Sequence, residues 1–296
     1  MPTSHAPQPR TSRRDHERAI ALLALCGVLW STAGLLIKLV DWSSAAIWSA
    51  RSAIAALGLY AIRRPSLTRI SAAEWRAAFA LAATTGLFIL ANKLTTAANA
   101  ILIQYSAPIW VALLGAGLLG ERASRLDWLT IGAVLGGITL FFFEQLTLDH
   151  VAGNLIALAA GIGFAFSVTS LRKVAMTPGL AGPSDPLRPL LLGNVIGAVF
   201  GAPFMLMSAP PGLTGWGALL ALGLGQQAAA YLCYAWAIRH ATALEATLIV
   251  VIEPILSPVW VAIAFGEWPG PWALLGGVIV VGAVTARGLI GRARPA

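Results

Sequence analysis

Long apolar stretches alternate with short polar segments along almost the whole chain. A helix that crosses a bilayer needs about 20 mostly apolar residues, and ten stretches of this kind can be delimited. They lie at about 19–38, 44–62, 75–93, 97–119, 126–143, 152–172, 187–208, 215–238, 243–265 and 271–290. Because the stretches are continuously apolar and do not alternate residue by residue, they exclude a membrane-spanning β-barrel. The pattern predicts an all-α polytopic membrane protein with ten transmembrane helices.

The composition supports this prediction. Hydrophobic residues make up 58% of the chain and charged residues only 11%, whereas soluble domains carry about 25% charged residues. So few charges cannot cover a water-facing surface, which excludes an ordinary soluble enzyme and a disordered chain. The net charge of +8 is therefore explained by basic residues at the membrane surface and not by binding of nucleic acid. We expect a lipid bilayer and no nucleic acid as partner.

The positions of the basic residues predict the orientation, because cytoplasmic loops of membrane proteins carry an excess of Lys and Arg. With the N-terminus inside, every Lys and Arg outside the spans faces the cytoplasm except Lys38 and Lys93, and Arg51 lies within a span. Both termini are therefore predicted to be cytoplasmic. The scarcity of lysine among the basic residues indicates GC-rich coding, so a bacterial inner membrane is the expected location.

The two halves of the chain share a spaced pattern of residues. Thr96, Pro108 and Gly120-Glu121 recur 146 residues later as Thr242, Pro254 and Gly266-Glu267. Each half has five predicted spans, and because five is odd, the second copy lies upside down relative to the first. We therefore expect a tail at 1–17, a first repeat at 18–146, an inverted repeat at 147–290 and a tail at 291–296.

Inverted repeats are typical of secondary transporters, which place the substrate site near the bilayer midplane between the repeats. In such proteins the two halves rock around the site and expose it to each side in turn. The repeat pattern therefore changes the interpretation from a membrane protein in general to a carrier that works by alternating access.

Several motifs resemble those of one transporter family. They are Leu29-Trp30-Ser31-Thr32 in the first span, Arg51 in the second, and the two blocks Ala107-Pro108 to Gly120-Glu121 and Glu253-Pro254 to Gly266-Glu267. Over about residues 18–290 the chain resembles the drug/metabolite transporter superfamily, EamA type. The Leu-Trp-Ser-Thr run further resembles its YddG-like branch of amino-acid exporters.

This resemblance implies a fold and a substrate class. In the family, helices 1, 3, 4, 6, 8 and 9 enclose a central cavity, helices 2 and 7 brace it, and helices 5 and 10 pack at one end. The YddG-like branch is associated with export of aromatic and other amino acids. We therefore expect a central cavity and a small-molecule substrate, with amino acids favoured.

Polar residues inside a bilayer are costly and are functional candidates by default, and Glu253 is the most prominent of them. It lies in the middle of the ninth span, next to Pro254, which removes a backbone hydrogen-bond donor. A carboxylate there could exchange protons or attract the ammonium group of an amino acid. The structural alternative is a neutral, hydrogen-bonded glutamate that stabilises the kink.

Further substrate-binding candidates lie on three other spans. Gln227, Tyr231 and Tyr234 follow one another at i, i+4 and i+7, which predicts one polar and aromatic helix face. Together with Glu253, the predicted binding residues are Trp30, Ser31, Asn99, Tyr105, Gln227, Tyr231 and Tyr234. For each of these, packing or interhelical hydrogen bonding is the alternative role.

Other features predict structural roles. Arg51 lies near the outer end of its span, where a long side chain can reach the headgroups, so we expect it to be structural. Glu121 and Glu267 are expected to anchor helix ends. Gly115, Gly117 and Gly120 have dinucleotide-binding spacing but lie inside an apolar span, without the strand that such sites require.

No catalytic, nucleotide-binding or metal-binding motif is found in the sequence, so we expect no enzyme activity, no metal and no cofactor. The predicted function is secondary export of amino acids, aromatic and other neutral ones favoured. A drug or other metabolite efflux carrier and a passive channel are the alternatives. Proton coupling and uniport both stay open.

Overall fold

The computed structural model describes residues 12–147, 149–179, 182–183, 185–266 and 270–293. Most of the two predicted tails, and Glu267, lie outside this part of the chain. The described residues form a bundle of long helices and one very short β-hairpin, so the predicted all-α class is confirmed.

Ten helical rods follow one another, three of them divided into two helices and one interrupted by a π-helical stretch. They are α1a Arg13–Ser31 and α1b Ala33–Ile37, α2 Ser44–Arg63, α3 Ala72–Leu94, α4a Ala97–Gln104 and α4b Ala107–Leu118, α5 Arg125–Phe141, α6 Val151–Met176, α7 Leu187–Leu206, α8a Leu213–Leu220 and α8b Ala230–Ala237 on either side of the π-helix Ala221–Ala229, α9a Ala243–Val250 and α9b Ile252–Phe265, and α10 Pro271–Ala293. A 3₁₀ turn, Phe143–Gln145, follows α5, and the hairpin strands are β1 Pro178–Gly179 and β2 Gly182–Pro183.

The helix starts follow from capping chemistry. A Ser or Thr side chain just before a helix can accept a hydrogen bond from a free backbone N–H of the first turn. Ser71, Ser124 and Thr242 do this at α3, α5 and α9a. In each case the carboxylate of the acidic residue three positions later accepts a hydrogen bond from the backbone N–H of the capping residue. Capping of this kind fixes the residue at which each of these three helices begins.

In the described residues, nine helices are long and apolar enough to cross a membrane. The α5 helix, with 17 residues, is shorter than these nine and lies at the lower limit of the length that spans a bilayer. The fold therefore has at least nine candidate spans, and the tenth stays a prediction.

Helix packing follows a regular scheme. The α3 helix packs on α6, and α1 packs on α8, the same pair shifted by five helices. Likewise α4 packs on α6 as α9 packs on α1, while α2 pairs with α7 and α5 pairs with α10. When every helix number is shifted by five, each of these packed pairs becomes another observed pair or becomes itself. In these pairs the packing of the first five helices is thus repeated in the last five.

Glycines allow the closest of these contacts. A Cβ atom at Gly193 of α7 would lie 3.0 Å from the Ala78 carbonyl oxygen of α3. In the α5–α10 pair, a Cβ at Gly276 would meet the backbone of Phe141, with 2.9 Å to its Cα. Small residues are what membrane helices need for such close backbone approach, so these glycines serve packing.

Candidate functional site

Three of the rods are broken within their length. The α4 rod is interrupted at Tyr105 and Ser106, just before Pro108, and α9 is interrupted at Val251, just before Pro254. A proline lacks the N–H that would bond the carbonyl four residues earlier, so both breaks follow from the sequence. The third break is at Thr32 in α1.

A carboxylate and a phenol meet at the breaks of α4 and α9. The Tyr105 hydroxyl donates a hydrogen bond of 2.9 Å to Oε2 of Glu253. Both residues are half-buried, and Oε1 of Glu253 has no hydrogen bond within the described chain. The pair therefore presents a carboxylate oxygen that is held in position and still available.

Aromatic rings gather beside the break in α1. The Trp30 indole meets Tyr231 edge-on, with ring centroids 6.1 Å apart, and lies tilted against Tyr234 at 5.8 Å. The hydroxyl of Tyr234 is buried without a hydrogen-bond partner in the described chain. Such a cluster combines apolar surface with polar tips, which suits an amphipathic ligand.

Ser31 lies next to this cluster, but its hydroxyl is already occupied. It donates to the Val28 carbonyl at 2.6 Å and accepts from the Trp260 indole N–H at 2.7 Å, and only 1% of the residue is exposed. Ser31 thus ties α1a to α9b. Trp260 is a residue that the sequence did not indicate, because its partner Ser31 lies 229 positions away in the chain.

Gln227 lies away from the aromatic face that was predicted to include it. Its side-chain amide donates to Oδ1 of Asn194 on α7, and Gln227 itself lies in the π-helix. A π-helix has more residues per turn than the α-helix on which the i, i+4, i+7 prediction was based. The changed register turns Gln227 towards α7, while Tyr231 and Tyr234 face Trp30.

Asn99 belongs to a different polar group, at the start of α4a. Its amide bonds the Thr147 carbonyl at 2.6 Å and the Asn154 side chain at 3.1 Å, and its oxygen accepts from the Thr147 N–H. Asn99 lies six residues before Tyr105, about 9 Å along the helix axis. The structure therefore does not bring it together with Glu253 and the aromatic residues.

Arg51 lies closer to this centre than the sequence analysis expected. Its charge is within electrostatic range of Tyr231 and Glu253, although it belongs to α2, which was expected to serve only as a brace. The signal in the sequence was the charge itself inside an apolar span.

A second concentration of charge lies at the end of the bundle where α1a begins. We call it the charged end, and its main ion pairs are Arg172–Glu121, Arg188–Glu74, Arg287–Asp127 and Arg287–Glu245. Glu121 also accepts from the Ala243 N–H, and Arg172 donates to the Ile238 and Arg239 carbonyls. These contacts join α6, the segment after α4b, and the turn between α8b and α9a.

Comparison with known proteins places the chain among transporters. A sequence profile described as the EamA-like transporter family matches residues 17–143 and 151–286. Two proteins of Archaeoglobus fulgidus, both named uncharacterized transporter, are similar to the chain. One is 24% identical over 286 residues, covering 89% of this chain and 94% of its own length. The other is 25% identical over 203 residues, covering 68% of this chain and 70% of its own length.

One crystal structure has the same fold. It superposes with a TM-score of 0.80 at 19% sequence identity, covering 94% of this chain and 99% of the other. At this level of identity the likeness concerns the fold alone.

Proposed function

Because this chain belongs to the EamA-like transporter family, and is therefore a membrane transporter and not an enzyme, we propose that it exports amino acids. Aromatic and other neutral amino acids are the favoured substrates. The proposed location is a bacterial inner membrane. No metal or cofactor takes part in the proposed mechanism, since a secondary carrier needs only its substrate gradient or a coupling ion.

One observation carries the substrate proposal: the carboxylate of Glu253 is bonded to Tyr105, and its helix α9b packs on α1a, which carries Trp30. Glu253, held by Tyr105, offers a negative charge for an ammonium group. In the cluster of Trp30, Tyr231 and Tyr234 the tyrosines are buried and Trp30 is half-buried, so the indole offers a surface on which an aromatic or aliphatic side chain can pack. A neutral amino acid has both of these parts.

The packing scheme supports a mechanism by alternating access. We propose ten transmembrane helices in two inverted repeats, 18–146 and 147–290, around a central cavity. The first helices of the two proposed repeats start at different ends of the bundle. The α1a helix begins at the charged end. The α6 helix begins at the opposite end, because Gly153 near its start meets Leu94, the last residue of α3. Helix pairs that exchange between the halves are what two copies related by a two-fold axis would produce.

We further propose that the charged end faces the cytoplasm, together with both termini. Its arginines lie at the ends of α6 and α10 and at the start of α7, and an excess of basic residues on the cytoplasmic side is the general rule. Substrate would then enter from the charged end and leave from the opposite end.

Counterflow in proteoliposomes tests the function. Vesicles with purified protein are loaded with one unlabelled amino acid, diluted into the labelled form without any ion gradient, and followed over time. Transient accumulation of label is expected for phenylalanine, tryptophan or leucine, because the unlabelled substrate inside occupies the carrier and keeps the label that enters from leaving. Protein-free vesicles are the control. Label that only equilibrates, without overshoot, would indicate a channel and contradict the carrier mechanism.

Efflux of amphipathic cations is the second candidate function, and the same aromatic cluster favours it. Glu253 can attract an organic cation by its charge, and the aromatic residues can hold the cation through cation–π interaction. Counterflow with a quaternary ammonium dye, and none with any amino acid, would replace the first proposal with the second.

A further inference from the structure

Arg51 has an unusual environment for a charged residue in a membrane protein. It lies seven residues after the start of α2, about 10 Å from that end of the helix. The residue is half-buried and its Nε is buried without a hydrogen-bond partner. No carboxylate of the described chain forms an ion pair with it.

Other arginines with low exposure form ion pairs within the protein. Arg172, Arg188 and Arg287 each have a carboxylate oxygen within 3.2 Å. Removing a guanidinium from water without a counter-charge is costly, so a buried arginine is normally paired. Arg51, whose Nε is buried, has no such pair within the described chain.

The surroundings of Arg51 place it at the candidate site. The charge of Arg51 lies within electrostatic range of Glu253 and of Tyr231, which packs on Trp30, and α2 packs directly on the π-helix that precedes α8b. Glu253 takes its hydrogen bond from Tyr105 and forms no ion pair with Arg51. Gly223 allows the π-helix of α8 to approach α2 here, since a Cβ on it would lie 3.1 Å from the Arg51 carbonyl oxygen. A cation and an anion therefore face the same region and remain separate.

From this arrangement we infer that Arg51 binds the carboxylate of the transported molecule, while Glu253 faces its ammonium group. A guanidinium has planar donors that match the two oxygens of a carboxylate, which gives both strength and orientation. The inference rests on the proposed function and narrows it to substrates with a free carboxylate. It also explains the missing partner, because the substrate supplies the counter-charge.

A purely structural role for Arg51 makes a different prediction. A side chain that only extends to the headgroups contacts lipid and not substrate, so its replacement should leave the affinities for carboxylates unchanged. A structural arginine would also stabilise the empty protein. An unpaired one destabilises it, so replacement should leave the melting temperature of the ligand-free protein unchanged or higher.

The test compares four probes on detergent-purified protein. L-phenylalanine carries both the ammonium and the carboxylate, and 3-phenylpropionate carries only the carboxylate. L-phenylalaninamide and 2-phenylethylamine carry only the ammonium, the second without a carbonyl group. The remaining L-amino acids are measured beside them. We expect Arg51→Gln to weaken binding of phenylalanine and of 3-phenylpropionate at least tenfold and to leave the two amines within twofold of wild type. Arg51→Lys should fall between, because it keeps the charge and loses the planar donors.

Arg63→Gln is the matched control. It removes the same charge from the same helix at an exposed position of its last turn, and all its affinities should equal those of wild type. The inference is overturned if Arg51→Gln binds carboxylates as wild type does, if it lowers the melting temperature of the ligand-free protein, or if wild type binds no carboxylate at all. If wild type binds 3-phenylpropionate through Arg51 and binds no amino acid, the amino-acid proposal fails while the role of Arg51 stands.

Discussion

At the scale of single residues, the central question is what Glu253 contributes. Tyr105 donates to one of its oxygens at 2.9 Å, and the charge of Arg51 lies within range. A carboxylate in such surroundings can bind a cation, and it can also carry a proton across the cycle. These two roles separate when the charge is removed while the shape is kept.

We predict that Glu253→Gln abolishes accumulation driven by a pH gradient. The amide cannot take up a proton, so a coupled carrier would lose the link between the two flows. The measurement is uptake of labelled substrate into proteoliposomes with and without a pH gradient, each divided by that variant's own exchange rate. Gradient-driven accumulation that survives in the variant would contradict coupling through Glu253 and favour uniport.

The aromatic cluster leads to a second prediction at this scale. Trp30→Leu should weaken binding of tryptophan and phenylalanine by up to about tenfold and that of alanine much less, because an aromatic pair contributes about 0.5–1.5 kcal/mol. The ratio of affinities for phenylalanine and alanine measures it. Trp75→Leu, at an indole that is 39% exposed, is the control, and an equal loss for all substrates would contradict direct contact.

At the scale of elements, the helices fall into two groups, those with a break in the rod and those held together by close contacts. The broken rods α1, α4 and α9 bring Trp30, Tyr105 and Glu253 to the middle of the bundle. The unbroken pair α5–α10 packs through glycines, and Gly120 and Gly266, each with a φ of +74°, end α4 and α9. We interpret the broken rods as the moving parts and the glycine-packed pair as a fixed support.

This interpretation predicts unequal effects of two matched substitutions in α10. Gly276→Ala places a methyl group against the backbone of α5 and should destabilise the protein by about 1–3 kcal/mol. Gly282→Ala meets nothing within 4 Å and should be neutral or slightly stabilising, because alanine favours helix. Thermal unfolding in detergent measures both, and equal melting temperatures would contradict the close contact.

At the scale of the whole molecule, the ion pairs at the charged end hold helices of the two proposed repeats together. Arg172 lies on α6 and Glu121 follows α4b, and Nε and Oε1 of this pair are 2.8 Å apart. The α4b helix also packs on α9a at this end. In alternating access such contacts must break when the site opens to this side, so we interpret them as a closed gate.

The gate predicts that Arg172→Gln exposes the charged end. Loss of one partner of a buried ion pair costs about 3–5 kcal/mol, which is enough to shift a two-state equilibrium more than tenfold. A reporter cysteine at Ala112, which is 4% exposed and lies beside Thr242 and Ala243, is introduced after Cys26 and Cys233 are replaced. Its labelling by a water-soluble maleimide should become at least tenfold faster.

The control for this experiment is Arg13→Gln, which removes the same charge from an exposed pair with Glu17 within α1a. Its labelling rate should match that of the reporter alone. A variant of Arg172 with unchanged labelling would show that the gate does not depend on this pair.

Sequence alone was enough for the features that depend on local chemistry. Helix class follows from apolar runs that are too long for anything else in a bilayer, and prolines such as Pro254 mark where rods break. Glu253 and Trp30 stood out because a polar or amphipathic side chain at mid-depth is costly anywhere. Their roles as binding residues stay predictions.

Only the tertiary structure decided which of the candidates contact one another. Asn99 and Gln227 look equivalent to Tyr105 in a list of polar residues, yet their partners are Asn154 and Asn194 on other helices. Trp260 and Arg51 gain their importance from neighbours far away in the chain. Hydrogen bonds and ion pairs depend on distances of about 3 Å between helices, and the helical period of a single span does not contain that information.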